Sequence, residues 1–462
     1  MMFPEGFVQR IKSQEYIDSS GLLNALQEPS PVSIRINPSK WDKKPLNSDP
    51  VPWCETGYYL EKRPSYTLDP LFHSGCYYPQ EASGMFMEQV FKQVISKDEY
   101  VRILDLCAAP GGKSTHFSSL IRSQGLLIAN EVIKARAAVL AENISKWGND
   151  NTIVTQNDPS AFSELPGFFD VILVDAPCSG EGMFRDSLAV NEWSEENANH
   201  CSERQKRILS DIWPALRDTG ILIYVTCTFN PGENEENVKW LTSKFEAETI
   251  ELDTSEFKNI TEIDSRGIKG YGFYPGKIKG EGLFVSVIRK TGNPAKVKTG
   301  TKSKHVKELQ RRDIEIIKDW TAFPSENIVK DGEEIFSFPG RAEDYYSLQD
   351  YLNIIRKGTK ICTSKKNDYI PAHELAVSDS IRRDAFPVAE LDYSQAIAYL
   401  KRDNFFPEST PKGWFTVAYK GVKLGFCNNI GSRINNYFPV GWRIRMNVPE
   451  TAGSNTICWD TN

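Results

Sequence analysis

Between residues 101 and 228 the chain alternates short apolar runs with longer mixed ones. The apolar runs are VRILDL (101–106), GLLIANE (125–131), NTIVTQND (151–158), FDVILVDAP (169–177) and GILIYVTCT (220–228). They are rich in β-formers and lack strict in–out alternation, the pattern of strands buried on both faces. The stretches 113–123, 133–147 and 199–217 read as helices, the second of them stopped by Gly148. Strand and helix in regular alternation predict βαβ units and a parallel, doubly wound sheet. A later pair, YGFYPGKIKG followed by EGLFVSVIRK, predicts an antiparallel addition that closes the sheet.

On either side the pattern changes. Residues 1–95 read as a small mixed α+β segment, with VSIRIN (32–37) as a strand. From Lys290 to Lys307 there are six lysines, no acid and no large apolar cluster. That composition predicts a linker over 291–307. Beyond it, a small intermediate domain is expected at 308–385 and a second small domain, rich in short strands, at 386–462.

The length of 462 residues fits several domains, each able to bury a core. With 40% hydrophobic and 25% charged residues, the chain has the composition of a folded soluble protein. No run is long and apolar enough to span a membrane, and MMFPEGFVQR lacks the regions of a signal peptide, so a cytoplasmic location is expected. The nine cysteines are odd in number and scattered, with no CxxC pair, and the five histidines form no HExxH. A disulfide scaffold and a metal site are both unexpected. The net charge of −6 excludes binding of nucleic acid by bulk charge but leaves room for local basic surfaces.

The first strand runs into LDLCAAPGGKSTH (104–116). Small residues and Gly111–Gly112 permit a sharp turn and close approach to a ligand, and a helix starting near Lys113 would aim free N–H groups at it. GGKST is not a P-loop, because the position that requires glycine is Cys107. Glu131 ends the second strand, where a carboxylate can accept both hydroxyls of a ribose, and Asp158 ends the third. A plain structural turn and two solvated acids would account for each feature singly. Together, in this order, they favour an adenosine-containing ligand that carries an amino-acid arm rather than phosphates.

The fourth strand leads into Asp175–Ala176–Pro177–Cys178–Ser179–Gly180, and the fifth ends in Thr226–Cys227–Thr228 ahead of NPGENEENV. In a doubly wound sheet these ends lie side by side, bringing two thiols and one carboxylate to the ligand edge. A single strand-end cysteine is most often a small buried hydrophobe. Two at adjacent ends point to covalent catalysis, which suits a thiolate. Carbon 5 of a pyrimidine is a poor nucleophile until a thiolate adds to carbon 6 and makes the ring an enamine. The adduct must afterwards lose its carbon-5 proton and expel the thiol, and a second group can assist.

LDLCAAPGGKSTH, VDAPCSGEGMFR and YVTCTFNPGENEENV closely resemble the motifs of the Nop/Sun-type RNA cytosine-C5 methyltransferases. Within that family the chain most resembles the bacterial RsmF-like enzymes of 16S ribosomal RNA. SIRIN (33–37), YYPQEASGM (77–85) and FYPGKIKGEGLF (273–284) extend the resemblance over about residues 30–290. It implies a Rossmann-like class I methyltransferase domain (96–290) behind an RNA-binding N-terminal α+β domain (1–95). It further implies S-adenosylmethionine held by Cys107, Ala108, Ala109, Pro110, Gly111, Gly112, Lys113, Glu131, Asp158 and Asp175. Cys227 is then the nucleophile, Cys178 the residue that assists product release, and Asp175 part of the catalytic group.

Residues 411–447 hold six Lys or Arg, no acid and seven aromatics. Phosphate contacts with base stacking fit that mixture, as does a small barrel with an aromatic core and a basic face. The region is similar to the PUA-like segment of RsmF-like proteins, which makes 386–462 an expected RNA-binding domain. The expected partner is ribosomal RNA or the small subunit, bound by a monomer. Transfer RNA as the substrate and an RNA-binding assembly factor without activity are the alternatives. DNA cytosine methylation would instead place the nucleophile at Cys178.

Overall fold

The computed structural model describes residues 2–96, 99–265, 267–292, 309–365, 368–405, 410–449 and 452–460. All but the first two residues of the predicted linker 291–307 fall outside them. The centre is a ten-stranded sheet. Its strands are β1 (Val101–Asp105), β2 (Gly125–Asn130), β3 (Thr152–Thr155), β4 (Phe169–Asp175), β5 (Leu216–Thr226), β6 (Ala247–Thr249), β7 (Thr261–Ser265), β8 (Ile268–Phe273), β9 (Leu283–Lys290) and β10 (Ile354–Arg356). Their order is β7-β8-β9-β5-β4-β1-β2-β3-β10, with β6 paired to β9. Strands β1 to β5 are mutually parallel, whereas β9 runs antiparallel beside β5 as the closing addition.

Successive residues of these strands enter two different cores. Ile103, Leu127, Leu173 and Ile223 pack on one face, and Leu104, Ile128, Ile172 and Leu222 on the other. Burial on both faces explains why the strands read as unbroken apolar runs. Helix α1 (Gly112–Ile121) covers the first face through Phe117 and Ile121, while α3 (Glu195–Ile212) and α4 (Glu235–Lys244) cover the second. Helix α2 (Lys134–Trp147) follows β2 and ends at Gly148, whose φ is +88°. The helix expected at 199–217 begins earlier, at Glu195, where Ser194 caps it, and stops at Ile212. A single 3-10 turn, Trp213–Ala215, contains Pro214, and β5 has begun by Leu216. Proline lacks the N–H that a continuing helix would need.

Ahead of the sheet, helices Glu5–Ser13 and Ser19–Ala25 precede a four-stranded sheet that includes the predicted strand, Val32–Ile36. After it, residues 309–385 form a four-stranded sheet of their own and also lend β10 to the edge of the central one. The last sheet consists of Val388–Glu390, Gly413–Tyr419, Val422–Asn429 and Ile434–Asn436. Its Phe415, Phe426 and Phe438 are fully buried, and the other four aromatics between 411 and 447 are half-buried. Those rings therefore form core, while Lys412, Lys420, Arg433, Arg443 and Arg445 stand exposed. Trp459 packs edge-on against Trp41 at 5.4 Å, fastening the C-terminal region to the N-terminal domain.

Candidate active site

The carboxyl ends of β1 and β4 adjoin where the strand order reverses, the usual ligand position in an open α/β sheet. The loop from β1 to α1 is closed tightly. Ala108 N–H donates to Asn130 O (2.8 Å), Arg136 donates to Ala109 O (2.9 Å) and Asn143 to Pro110 O (2.8 Å). Gly111 caps α1 at φ +116°, and a Cβ there would meet Leu140 at 3.3 Å. Ala108, Ala109 and Gly111 are buried, Cys107, Gly112 and Lys113 half-buried, and Pro110 exposed. Burial pushes the Cys107 thiol up, so it packs rather than ionises.

The predicted acids occupy distinct settings. Glu131 is only 3% exposed, accepts from Ile133 N–H (2.9 Å) and faces Arg136 at 3.4 Å. Asp158 caps the short turn Pro159–Glu164 through Ser160 and lies 3.5 Å from the exposed Arg207. Asn130 links the neighbourhoods, donating to Leu106 O and Asn157 O at 3.1 and 3.0 Å. Asp175 pairs with Lys113 at 2.7 Å. Burial works against the Lys113 charge, but attraction to Asp175, then Asp105 and Cys227, raises its pKa above the ordinary value. Asp105, absent from the sequence reading, lies beneath them. It accepts from Ser114 Oγ (2.6 Å), its Oδ1 has no partner, and burial lifts its pKa to about 7.

The two cysteines meet. Cys227 directly follows β5, Cys178 stands three residues past β4, and their sulfurs are 3.1 Å apart and unbonded. Cys227 N–H donates to Cys178 Sγ at 3.3 Å. The contact with Cys227, followed by burial, pushes the Cys178 thiol up. Both are half-buried and thus reachable from one side.

Several supporting side chains were missed because their partners are remote in sequence. Glu181 is fully buried and takes Arg10 from the N-terminal helix, Trp193 Nε1 (2.9 Å) and Phe229 N–H (3.2 Å). Burial raises its pKa to about 7. Glu81 gathers the N–H groups of Ser83, Gly84 and Glu281 at 2.7–3.0 Å, joining YYPQEASGM to FYPGKIKGEGLF. A Cβ on Gly84 would stand 3.8 Å from the Lys113 ammonium, so this junction borders the site. Buried Arg35 of SIRIN donates to Thr115 Oγ1 (2.6 Å), Gly112 O (3.2 Å) and Gln80 Oε1 (2.8 Å), and stacks on Trp147. The N-terminal domain thereby braces the start of α1.

One cluster of metal-ligand type, unseen in the sequence, also forms here from Cys54, Glu88 and His116. His116 Nε2 lies 3.3 Å from Glu88 and 3.8 Å from Cys54. Lys92 pairs with Glu88 at 2.7 Å, and the buried Arg35 charge acts on both Cys54 and His116. Two positive charges already balance the site, and His116 Nδ1 has none of the outer partner that metal-ligating histidines use. We read the cluster as a buried hydrogen-bonded group.

Residues 92–289 match the family described as 16S rRNA methyltransferase RsmB/F. Residues 3–82 match the N-terminal domain of 16S rRNA methyltransferase RsmF, and 386–444 match the methyltransferase RsmF PUA domain. Ribosomal RNA small subunit methyltransferase F of Aliivibrio fischeri (strain ES114) is 31% identical, over 95% of this chain and 97% of its own. The same-named protein of Vibrio vulnificus (strain YJ016) is 30% identical, over 94% and 96%. A methyltransferase homologue from Pyrococcus horikoshii shares the fold at TM-score 0.51 and 27% identity, covering 62% of this chain and 95% of its own. With near-complete coverage of these relatives, and with all three family regions in order, this chain belongs to the RsmF family of 16S ribosomal RNA methyltransferases.

Proposed function

We propose that this protein transfers a methyl group from S-adenosylmethionine to carbon 5 of a cytosine in small-subunit ribosomal RNA, through a covalent bond between Cys227 and carbon 6. The observation that carries this reading is the pair of unbonded thiols, 3.1 Å apart, at the ends of β4 and β5. The cofactor fits the residues present. The Gly111–Gly112 turn offers the free N–H groups at the head of α1, Glu131 offers a buried acceptor, and Asp105 keeps one buried oxygen unpartnered. Together with Cys107–Pro110, Lys113, Asp158 and Asp175, these residues would hold it, and when bound it supplies an electrophilic methyl group.

The chain's own part is to make the cytosine nucleophilic and then to free it. The Cys227 thiol gives up its proton to solvent and its sulfur bonds to carbon 6; electron density moves to carbon 5, which takes the methyl group as the methyl–sulfur bond of the donor breaks and leaves a thioether. The Lys113–Asp175 pair flanks the ring and answers the charge that develops on it. Cys178, adjoining Cys227, assists removal of the carbon-5 proton, which passes to solvent; the C5–H electron pair restores the 5,6 double bond as the S–C6 bond breaks and Cys227 leaves as a thiolate. The target base must be extruded from folded RNA to reach the thiols. The exposed cations around the last sheet, and the N-terminal domain, hold the surrounding RNA.

Incubation with methyl-labelled S-adenosylmethionine and either 16S ribosomal RNA or small subunits, followed by nucleoside digestion, tests the reading. It expects label in 5-methylcytidine. Label in another nucleoside, or only in transfer RNA, would contradict it.

A further inference from the structure

Glu233, in NPGENEENV, has no part in the chemistry above, yet its surroundings are unusual. Its side chain is wholly buried, and among the described residues no cation pairs with it. Five neutral donors surround the carboxylate instead. Oε2 accepts from Ser179 N–H (2.9 Å) and Gln205 Nε2 (2.9 Å). Oε1 accepts from Ser179 Oγ, Asn230 Nδ2 (3.3 Å) and Thr228 Oγ1 (3.5 Å). A wholly buried carboxyl group away from any cation is tolerated only where such donors satisfy it.

The donors come from both cysteine loops. Ser179 follows Cys178, and Thr228 follows Cys227. Gln205 on α3 also donates to Pro177 O at 2.9 Å, so both residues flanking Cys178 are gripped by one acid–amide pair. The two cysteines depend on this grip unequally. Cys227 adjoins Thr226, which is paired in β5, and its carbonyl accepts from Gly182 N–H (2.8 Å). Cys178 lies beyond the last paired residue of β4, and its loop is fixed to Val225 O only through Ala176 N–H (2.8 Å). Removing the carboxylate therefore frees Cys178 more than Cys227.

We propose that Glu233 is a positioning residue that holds the Cys178 loop against Cys227, and so serves release of the methylated RNA rather than the initial attack. The proposal rests on the cysteine roles given above. A misplacement of about 1 Å costs a reacting group on the order of 10²-fold in rate. In Glu233→Gln the amide nitrogen must face donors on one side, whereas attack by Cys227 remains possible.

The experiment compares wild type, Cys178→Ala, Glu233→Gln and the milder Ser179→Ala, each with 16S ribosomal RNA and S-adenosylmethionine, on denaturing gels. Single-turnover methyl transfer is measured in parallel. Glu233→Gln should accumulate covalently bound RNA about 10- to 100-fold above wild type while still transferring one methyl per chain, and Ser179→Ala should do the same to a smaller degree. If Cys178→Ala traps RNA and the other two variants do not, or if they lose transfer without trapping, the role of Glu233 is overturned alone. If Cys178→Ala itself traps nothing, the cysteine assignment falls and takes this role with it.

Discussion

Asp105 can be tested through the pH dependence of stability. Buried beneath Lys113, it titrates near 7, because burial penalises its charged form more than Ser114 favours it. In the unfolded chain an aspartate loses its proton near pH 3.9. Between those values the native protein binds the extra proton, so stability falls as pH rises from about 4 to 7 and then levels. At about 1.4 kcal/mol per pH unit, the span from pH 5 to pH 7 is worth roughly 3 kcal/mol. Asp105→Asn keeps an acceptor for Ser114 and has no proton to lose. The variant's margin over wild type should grow by about 3 kcal/mol between pH 5 and pH 8. For a domain of this size that is a difference in Tm of roughly 6–12 °C. Differential scanning calorimetry at several pH values reads it directly. A Tm difference that stays constant across pH, or a variant that weakens as pH rises, would refute the reasoning.

Other consequences follow from single contacts. Glu131→Ala removes the buried acceptor at the end of β2 and should weaken S-adenosylmethionine binding by about tenfold; calorimetry showing unchanged affinity would remove Glu131 from the site. In Gly182→Ala the new Cβ would sit 2.5 Å from Gly282 O and 2.9 Å from Cys227 O. Forcing those loops apart should slow methyl transfer on the order of 10²-fold with cofactor affinity retained, and equal rates would refute the crowding argument. Charge reversal at Lys412, Lys420, Arg443 and Arg445 should weaken RNA binding and flatten its salt dependence, measured by filter binding, while leaving cofactor affinity unchanged.

The parallel strands and their order of appearance were legible because burial on both faces leaves a simple signature, an unbroken apolar run. The meeting of Cys178 with Cys227 was legible for a related reason: strand ends of a doubly wound sheet converge, so position along the chain predicts proximity, whereas Lys113 entered the site only through the family resemblance. The helix before β5 was misjudged because the 3-10 turn at Pro214 and the strand that follows share its apolar character. The side chains that brace the site left no local trace. Arg10 meets Glu181 across 171 positions, and Arg35 meets Thr115 across 80. Glu233 was visible only as one of several acids before a helix; its aim toward Ser179 depends on tertiary placement. The aromatics of residues 411–447 fitted either stacking surface or core, and only their burial in the folded chain decided for core.

Whether Cys227 attacks and Cys178 releases is decided by trapping of covalent RNA in the two alanine variants. Each variant is mixed with 16S ribosomal RNA, with and without S-adenosylmethionine, and resolved under denaturing conditions. Cys178→Ala should form a shifted, denaturant-resistant complex that requires both RNA and cofactor, and Cys227→Ala should form none. A complex formed by Cys227→Ala and not by Cys178→Ala would contradict those roles.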